Sequence, residues 1–178
     1  MDNNSDINKS TYEVRPEGTD AIINEIAMLH RQSASYYRDF ATALRPDEET
    51  PANYFDELAA YHEAMLEKLN GILADISGGV HTPSRSSETV FKKQEAALNR
   101  ALQAKNVVEL ASMAHDNEEA LSHSYEKALG NTQLLDFAEE ILHAQHQEIL
   151  IWVNRADRYA TVPQDRNDHY DDQHKSNL

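Results

Sequence analysis

The sequence PANYFDELAAYHEAMLEKLNGILADI, residues 51–76, identifies this chain as helical. Its large apolar residues recur at spacings of three and four, the period of a helix with one buried face; they are Phe55, Leu58, Met65, Leu66, Leu69 and Leu73. Thr50 and Pro51 are typical of an N-cap and a first helical position, and Gly78-Gly79 is typical of a helix end. A long helix is therefore predicted, with His62 at the centre of its apolar stripe.

The same period predicts helices on both sides of this stretch, over about 20–44, 87–104, 107–129 and from 133 to about 156. Three of them begin after a residue that favours the N-cap: Thr19, Asn106 and Thr132. The first is expected to end at Arg45-Pro46, because the residue before a proline is pushed out of the helical region. Residues 78–87 are predicted to be a loop.

Two pairs of long helices separated by a long connection indicate the architecture. A connecting helix of about 18 residues is ~27 Å long, enough to return along the bundle and make the second and third long helices parallel. The predicted fold is all-α: a ferritin-like four-helix bundle, made of two antiparallel helical hairpins, with an extra crossover helix. The predicted organisation is a loose segment over 1–18, the bundle over 19–159, and a disordered acidic tail over 160–178.

Composition narrows the classes of function. The 178 residues carry a net charge of −15, with no cysteine. Such a charge disfavours nucleic acid and anionic membrane surfaces as partners, and without cysteine there is neither a disulfide nor a thiolate ligand. The first residues show no secretory signal, and no apolar run approaches the ~20 residues of a membrane span. A soluble, cytoplasmic helical protein is expected.

Four polar residues interrupt the apolar stripes near the middle of the four long helices: His30, His62, Glu118 and Gln145. Two interpretations remain open. The two histidines and the carboxylate could bind zinc or iron as a metal cofactor, with His115 and Glu148 as further ligands. Alternatively, Glu118 pairs with a histidine in a hydrogen-bonded polar layer that holds no metal and fixes how the helices pair.

Other candidate chemistries have weaker support. Glu140 and His143 have the Glu-x-x-His spacing of di-iron bundles, but both are predicted to lie off the apolar stripe, facing solvent. His146 and His123 are likewise predicted to point away from the interior. Tyr36-Tyr37 is interpreted as a pair of packing aromatics. The chain has no glycine-rich phosphate loop and no nucleophile elbow.

Three segments resemble a bacterial family of ferritin-like four-helix-bundle proteins without an established function: IINEI…SYYRDFA over 22–41, NEEALSHSYEKAL over 117–129 and HAQHQEIL over 143–150. The family pattern places an acidic pair before a tyrosine, matched by Glu118, Glu119 and Tyr125, and a histidine matched by His146. The resemblance covers about 20–158 and implies a stress-related role. The sequence departs from di-iron relatives because Ser33 and Ser35 stand where the first helix would carry a carboxylate.

These observations give two functional expectations. The first is a non-catalytic cytoplasmic bundle, stress-linked by its resemblance, that acts by association with itself or with a protein partner. The second is a metal-binding bundle or a degenerate di-iron oxidase. A homo-oligomer is expected to use an outer apolar stripe, either at Trp152-Val153 or at Val90 and Phe91.

Overall fold

A computed structural model describes residues 18–77, 89–131 and 134–160. Over these ranges the chain forms six helices and no strand, which confirms an all-α helical bundle: α1 Thr19–Leu44, α2 Glu49–Ser77, α3 Val90–Lys93, α4 Glu95–Ala104, α5 Val107–Leu129 and α6 Asp136–Ala160. None of these helices is both long and apolar enough to cross a membrane. The predictions for the N-terminal segment, the acidic tail, the loop after α2 and Thr132 fall outside the described residues.

The predicted N-caps of the first two helices are wrong by one or two positions. Gly18 precedes α1 with a φ of 120°, which favours glycine, and Thr19 lies inside the helix as a buried residue. In α2 the amide of Ala52 already bonds the Glu48 carbonyl at 3.0 Å, so Thr50 is helical. Pro51 is tolerated there because amides of a first turn have no partner within the helix.

The cap of α5 is confirmed. The Asn106 side chain accepts a hydrogen bond of 3.2 Å from the Glu109 amide, and the helix covers the predicted residues. By contrast, α6 starts at Asp136, later than predicted. The amides of Ala138 and Glu139 bond the Leu135 carbonyl at 2.9 and 3.0 Å, so Leu135 directly precedes the first turn of α6.

The predicted crossover helix is two short helices, α3 and α4. They are interrupted at Gln94, whose φ of −112° and ψ of 27° leave the helical region. Phe91 of α3 is fully buried among Tyr36, Tyr37 and Phe40, with ring centroids between 5.0 and 5.4 Å from its own. The expectation that Phe91 belongs to an outer stripe is therefore wrong, because it anchors α3 to the core.

The long helices pair as predicted. α1 packs mainly on α2, and α5 packs mainly on α6. His30 meets Tyr125 near the end of α5, whereas Tyr37 meets Ala114 nearer its start, so α1 and α5 are antiparallel. Because α1 and α2 form a hairpin joined by four residues, α2 and α5 run in the same direction.

The core consists of two apolar clusters, one toward each end of the bundle. One contains Phe40, Phe55, Phe91 and their neighbours, and the other contains Ile23, Ile26, Leu73 and theirs. Along each of α1, α2 and α5 the chain passes from one cluster to the other, and a polar residue stands at the crossing. The polar layer is thus enclosed at mid-height by apolar side chains.

Candidate functional site: a buried His–Glu layer

Each of the four long helices contributes one of the predicted polar side chains to the middle of the core. His30, His62 and Glu118 are 0% exposed and Gln145 is 1% exposed, which confirms that all four face the interior. Each of these side chains faces inward because apolar, buried residues lie one turn before and after it on its own helix. Polar groups in such a position require hydrogen-bond partners.

The two histidines and the carboxylate form a continuous chain. The Nδ1 atoms of His30 and His62 are 2.8 Å apart, and the Nε2 atom of His62 is 3.0 Å from Oε1 of Glu118. The remaining ring nitrogen, Nε2 of His30, is 2.7 Å from the Tyr125 hydroxyl. Both nitrogens of both imidazoles are therefore engaged with protein groups.

The hydrogen bonds of Tyr125, at the end of this series, determine which atoms in it donate and which accept. The Tyr125 hydroxyl donates to Oε1 of Gln145 at 2.6 Å, and the Gln145 amide nitrogen donates to the Met65 carbonyl at 3.4 Å. Since the tyrosine proton is used in that bond, the Tyr125 oxygen must accept from His30. We therefore assign the proton of His30 to Nε2, which leaves its Nδ1 as an acceptor.

With this assignment, His62 is the positively charged histidine of the pair. Its Nδ1 must donate to His30, and its Nε2 faces the carboxylate of Glu118, so His62 carries both N–H groups and forms a buried ion pair. His30 stays neutral, because burial first and then the nearby charge of His62 hold the pKa of His30 well below its ordinary value. The layer as a whole is electrically neutral.

Glu118 is held from the other side by groups that the sequence analysis missed. The Tyr37 hydroxyl donates to Oε1 of Glu118 at 2.5 Å, and the Asn117 amide lies 3.2 Å from the same oxygen and 2.9 Å from the Ser33 hydroxyl. Burial, then the charge of Glu118, raise the pKa of Tyr37 well above its ordinary value. Tyr37 therefore both packs in the core, as expected, and donates a hydrogen bond.

Ser33 and Asn117 connect the layer to a surface groove. Both line an open groove of about 580 Å³ between α1, α3 and α5, together with Glu25, Leu29, Thr89, Val90, Lys93, Ala120, Leu121 and Ser124. Ser33 and Asn117 are themselves only 1% and 3% exposed. The groove thus ends on side chains that hydrogen-bond each other and, through Asn117, Glu118.

The prediction that His146 points away from the interior is wrong. His146 is buried, its Nε2 lies 2.8 Å from the Ser122 hydroxyl, and its ring stacks on Tyr125 with an angle of 6° between the planes. The buried face of α6 is wider than its apolar stripe, because α5 also covers the side of α6 that carries His146. The family resemblance, which singled out His146, was the only signal for it.

His123 and His143 lie where the sequence placed them. The His143 side chain is 60% exposed and Glu140 is exposed, so the Glu-x-x-His pair faces solvent as predicted. The His123 side chain is 76% exposed. These residues take no part in the layer.

The five suggested metal ligands are only partly brought together. His30, His62 and Glu118 meet, whereas Glu148 is exposed, and His115 is partly exposed with its Nδ1 3.6 Å from Asp116. Among the described residues, no three histidine or acidic side chains are arranged to hold a metal ion. Two ligands of a tetrahedral zinc ion with bonds of about 2.05 Å lie roughly 3.3 Å apart, more than the 2.8 Å between the two histidines.

A di-iron centre does not fit this layer. Such centres take a carboxylate from each of two helices and a Glu-x-x-His pair from each of the others, but Glu118 is the only buried acidic residue in the described ranges. No family model matches this chain, and no curated protein or solved structure matches it either.

Proposed function

We propose that this protein is a non-catalytic, ferritin-like helical bundle that acts by associating with itself or with another protein. In this proposal the His30–His62–Glu118 layer is structural: it specifies which helices pair and in what register. The hairpin order, with α2 and α5 parallel, supports the ferritin-like assignment. A cytoplasmic, stress-related role is part of the same proposal and rests on the composition and the family resemblance.

One observation carries the structural role of the layer. Every nitrogen of the two imidazoles is hydrogen-bonded to a protein group, and the charge of Glu118 is balanced by His62. A reactive site presents at least one of its acid–base groups to a substrate, whereas these three side chains are 0% exposed. The ring nitrogens of both histidines are thus used within the fold.

Metal binding is the second candidate, and one atom favours it. Oε2 of Glu118 is buried without a hydrogen-bond partner among the described residues, and an unsatisfied carboxylate oxygen attracts a cation. To bind an ion together with the histidines, the 2.8 Å contact between His30 and His62 would have to open. The displaced proton of His62 would then leave to solvent.

Elemental analysis separates the two candidates. The full chain is purified without chelator or nickel resin, beside a His62→Ala, Glu118→Ala double variant and a His123→Ala control at an exposed position. We expect no stoichiometric metal in any of the three. Stoichiometric zinc or iron that is retained by the control and lost by the double variant would overturn the structural role.

A further inference from the structure

α6 exposes more large apolar side chains than the other described helices. Among the described residues four large hydrophobic side chains are exposed, and three of them belong to α6: Phe137, Leu150 and Ile151, with Ile151 the most exposed at 60%. A helix that buries one face is normally polar on the other. The packing of the single chain does not explain why these side chains face solvent.

Ile151 belongs to a regular series on this face. Steps of four and three residues connect Phe137, Ile141, Ala144, Glu148, Ile151 and Arg155, which is the spacing of a seam between two helices. The bundle fills a different stripe of α6, formed by Ala138, Leu142, Ile149 and Ala156, all of them 0% exposed. In the outer series Ile141 still packs against the core, whereas Phe137 and Ile151 remain exposed on either side of it.

The two charged residues beside Ile151 can pair with each other between two copies of the chain. Glu148 lies one turn before it and Arg155 one turn after it, on the same face. If two copies of α6 lie antiparallel with their midpoints between residues 151 and 152, Glu148 of each copy stands at the height of Arg155 of the other. The two Ile151 side chains meet at the centre. The same patch then serves both partners, as a twofold interface requires.

We propose that α6 pairs antiparallel with α6 of a second copy of this chain, forming a twofold dimer around Ile151. Arg155 is already positioned for this role. Its guanidinium donates to Glu57 at 3.0 Å and lies 4.2 Å from the centre of the Trp152 ring, while the side chain stays 41% exposed. A guanidinium has five donors and can bind a second carboxylate. The inference rests on the proposed function, for which it names the partner.

Sedimentation of the full chain over a wide concentration range tests the dimer. The buffer contains about 0.15 M salt, where the Debye length of ~8 Å screens the repulsion between two acidic copies. We expect a monomer–dimer equilibrium that Ile151→Asp weakens by at least tenfold. Leu150→Asp is the matched control, because Leu150 is also exposed, at 38%, but points about 100° away around the helix. It should leave the equilibrium unchanged.

A charge exchange tests the antiparallel register. Glu148→Arg places like charges opposite each other twice in the dimer and should weaken it about tenfold. Adding Arg155→Glu to the same chain should restore the affinity. A monomer at every concentration, equal loss in Leu150→Asp, or no recovery in the exchanged variant would overturn the inference. The metal analysis and the layer do not depend on this outcome, so failure of the dimer and failure of the structural layer are distinguishable.

Discussion

Replacing His62 by leucine tests whether the layer is a buried ion pair. The substitution keeps an apolar side chain of similar size in the core, but removes the cation 3.0 Å from Oε1 of Glu118. Glu118 is fully buried, so its negative charge is left without a counter-charge. Removing one member of a buried ion pair typically destabilises a protein by about 3–5 kcal/mol.

An independent limit gives the same magnitude. Without His62, the buried carboxylate of Glu118 becomes neutral only if it takes up a proton. From a glutamate in water, with a pKa of ~4.3, this costs about 3.7 kcal/mol at pH 7 and about 1 kcal/mol at pH 5, at 1.36 kcal/mol per unit. The variant therefore gains about 2.7 kcal/mol between pH 7 and pH 5. The wild type gains about 0.7 kcal/mol over the same range, because its folded state holds a proton on His62 that an unfolded histidine, with a pKa of ~6.5, binds only at lower pH. The deficit of His62→Leu relative to the wild type should thus shrink by roughly 2 kcal/mol.

Urea unfolding followed by circular dichroism measures this loss at both values of pH. His123→Leu is the matched control, at a side chain that is 76% exposed, and should change the free energy of unfolding by no more than about 0.5 kcal/mol. Adding Glu118→Gln to His62→Leu should recover part of the loss, because a neutral amide oxygen can still accept from Tyr37. If His62→Leu and His123→Leu unfold alike, the buried pair does not contribute as argued.

Two further predictions concern His30 and the start of α5. The pKa of His30 is lowered by burial and then by the charge of His62, so the unfolded chain binds this proton more readily. Its contribution to stability should be complete above pH ~6.5 and be lost as the pH falls below that value; melting temperatures from pH 6.5 to pH 5 should show a drop that His30→Gln flattens. Asn106→Ala removes the cap of α5 and should lower the free energy of unfolding by about 1 kcal/mol, whereas Gln103→Ala, at an exposed position, should change it by less than 0.5 kcal/mol in urea titrations.

The helices and their inward faces could be predicted from periodicity because each signal is local. The limits of α5 follow from Asn106 and from Gly130, both adjacent to the apolar stripe. The inward placement of His30, His62 and Glu118 follows from apolar neighbours three and four residues away. The late start of α6 and the break at Gln94 depend on contacts between helices, which a period within one helix does not describe.

The partners within the layer could not be predicted for the same reason. Periodicity gives the direction of a side chain around its own axis, but not the height or rotation of the helix it meets. The hydrogen bonds that Tyr37 and Asn117 make to Glu118 join α1 and α5 or adjacent residues, and none of them leaves a pattern in the sequence. His146 shows the related difficulty, since the width of a buried face depends on how many neighbours cover it.

The division of the layer between the two hairpins has a consequence for assembly. Both histidines belong to the first hairpin, whereas the carboxylate that balances His62 arrives with the second. A first hairpin alone lacks that carboxylate, and it leaves both imidazoles on the face that α5 and α6 cover in the complete fold. The buried ion pair is therefore completed only when the two hairpins dock, and neither half can form it alone.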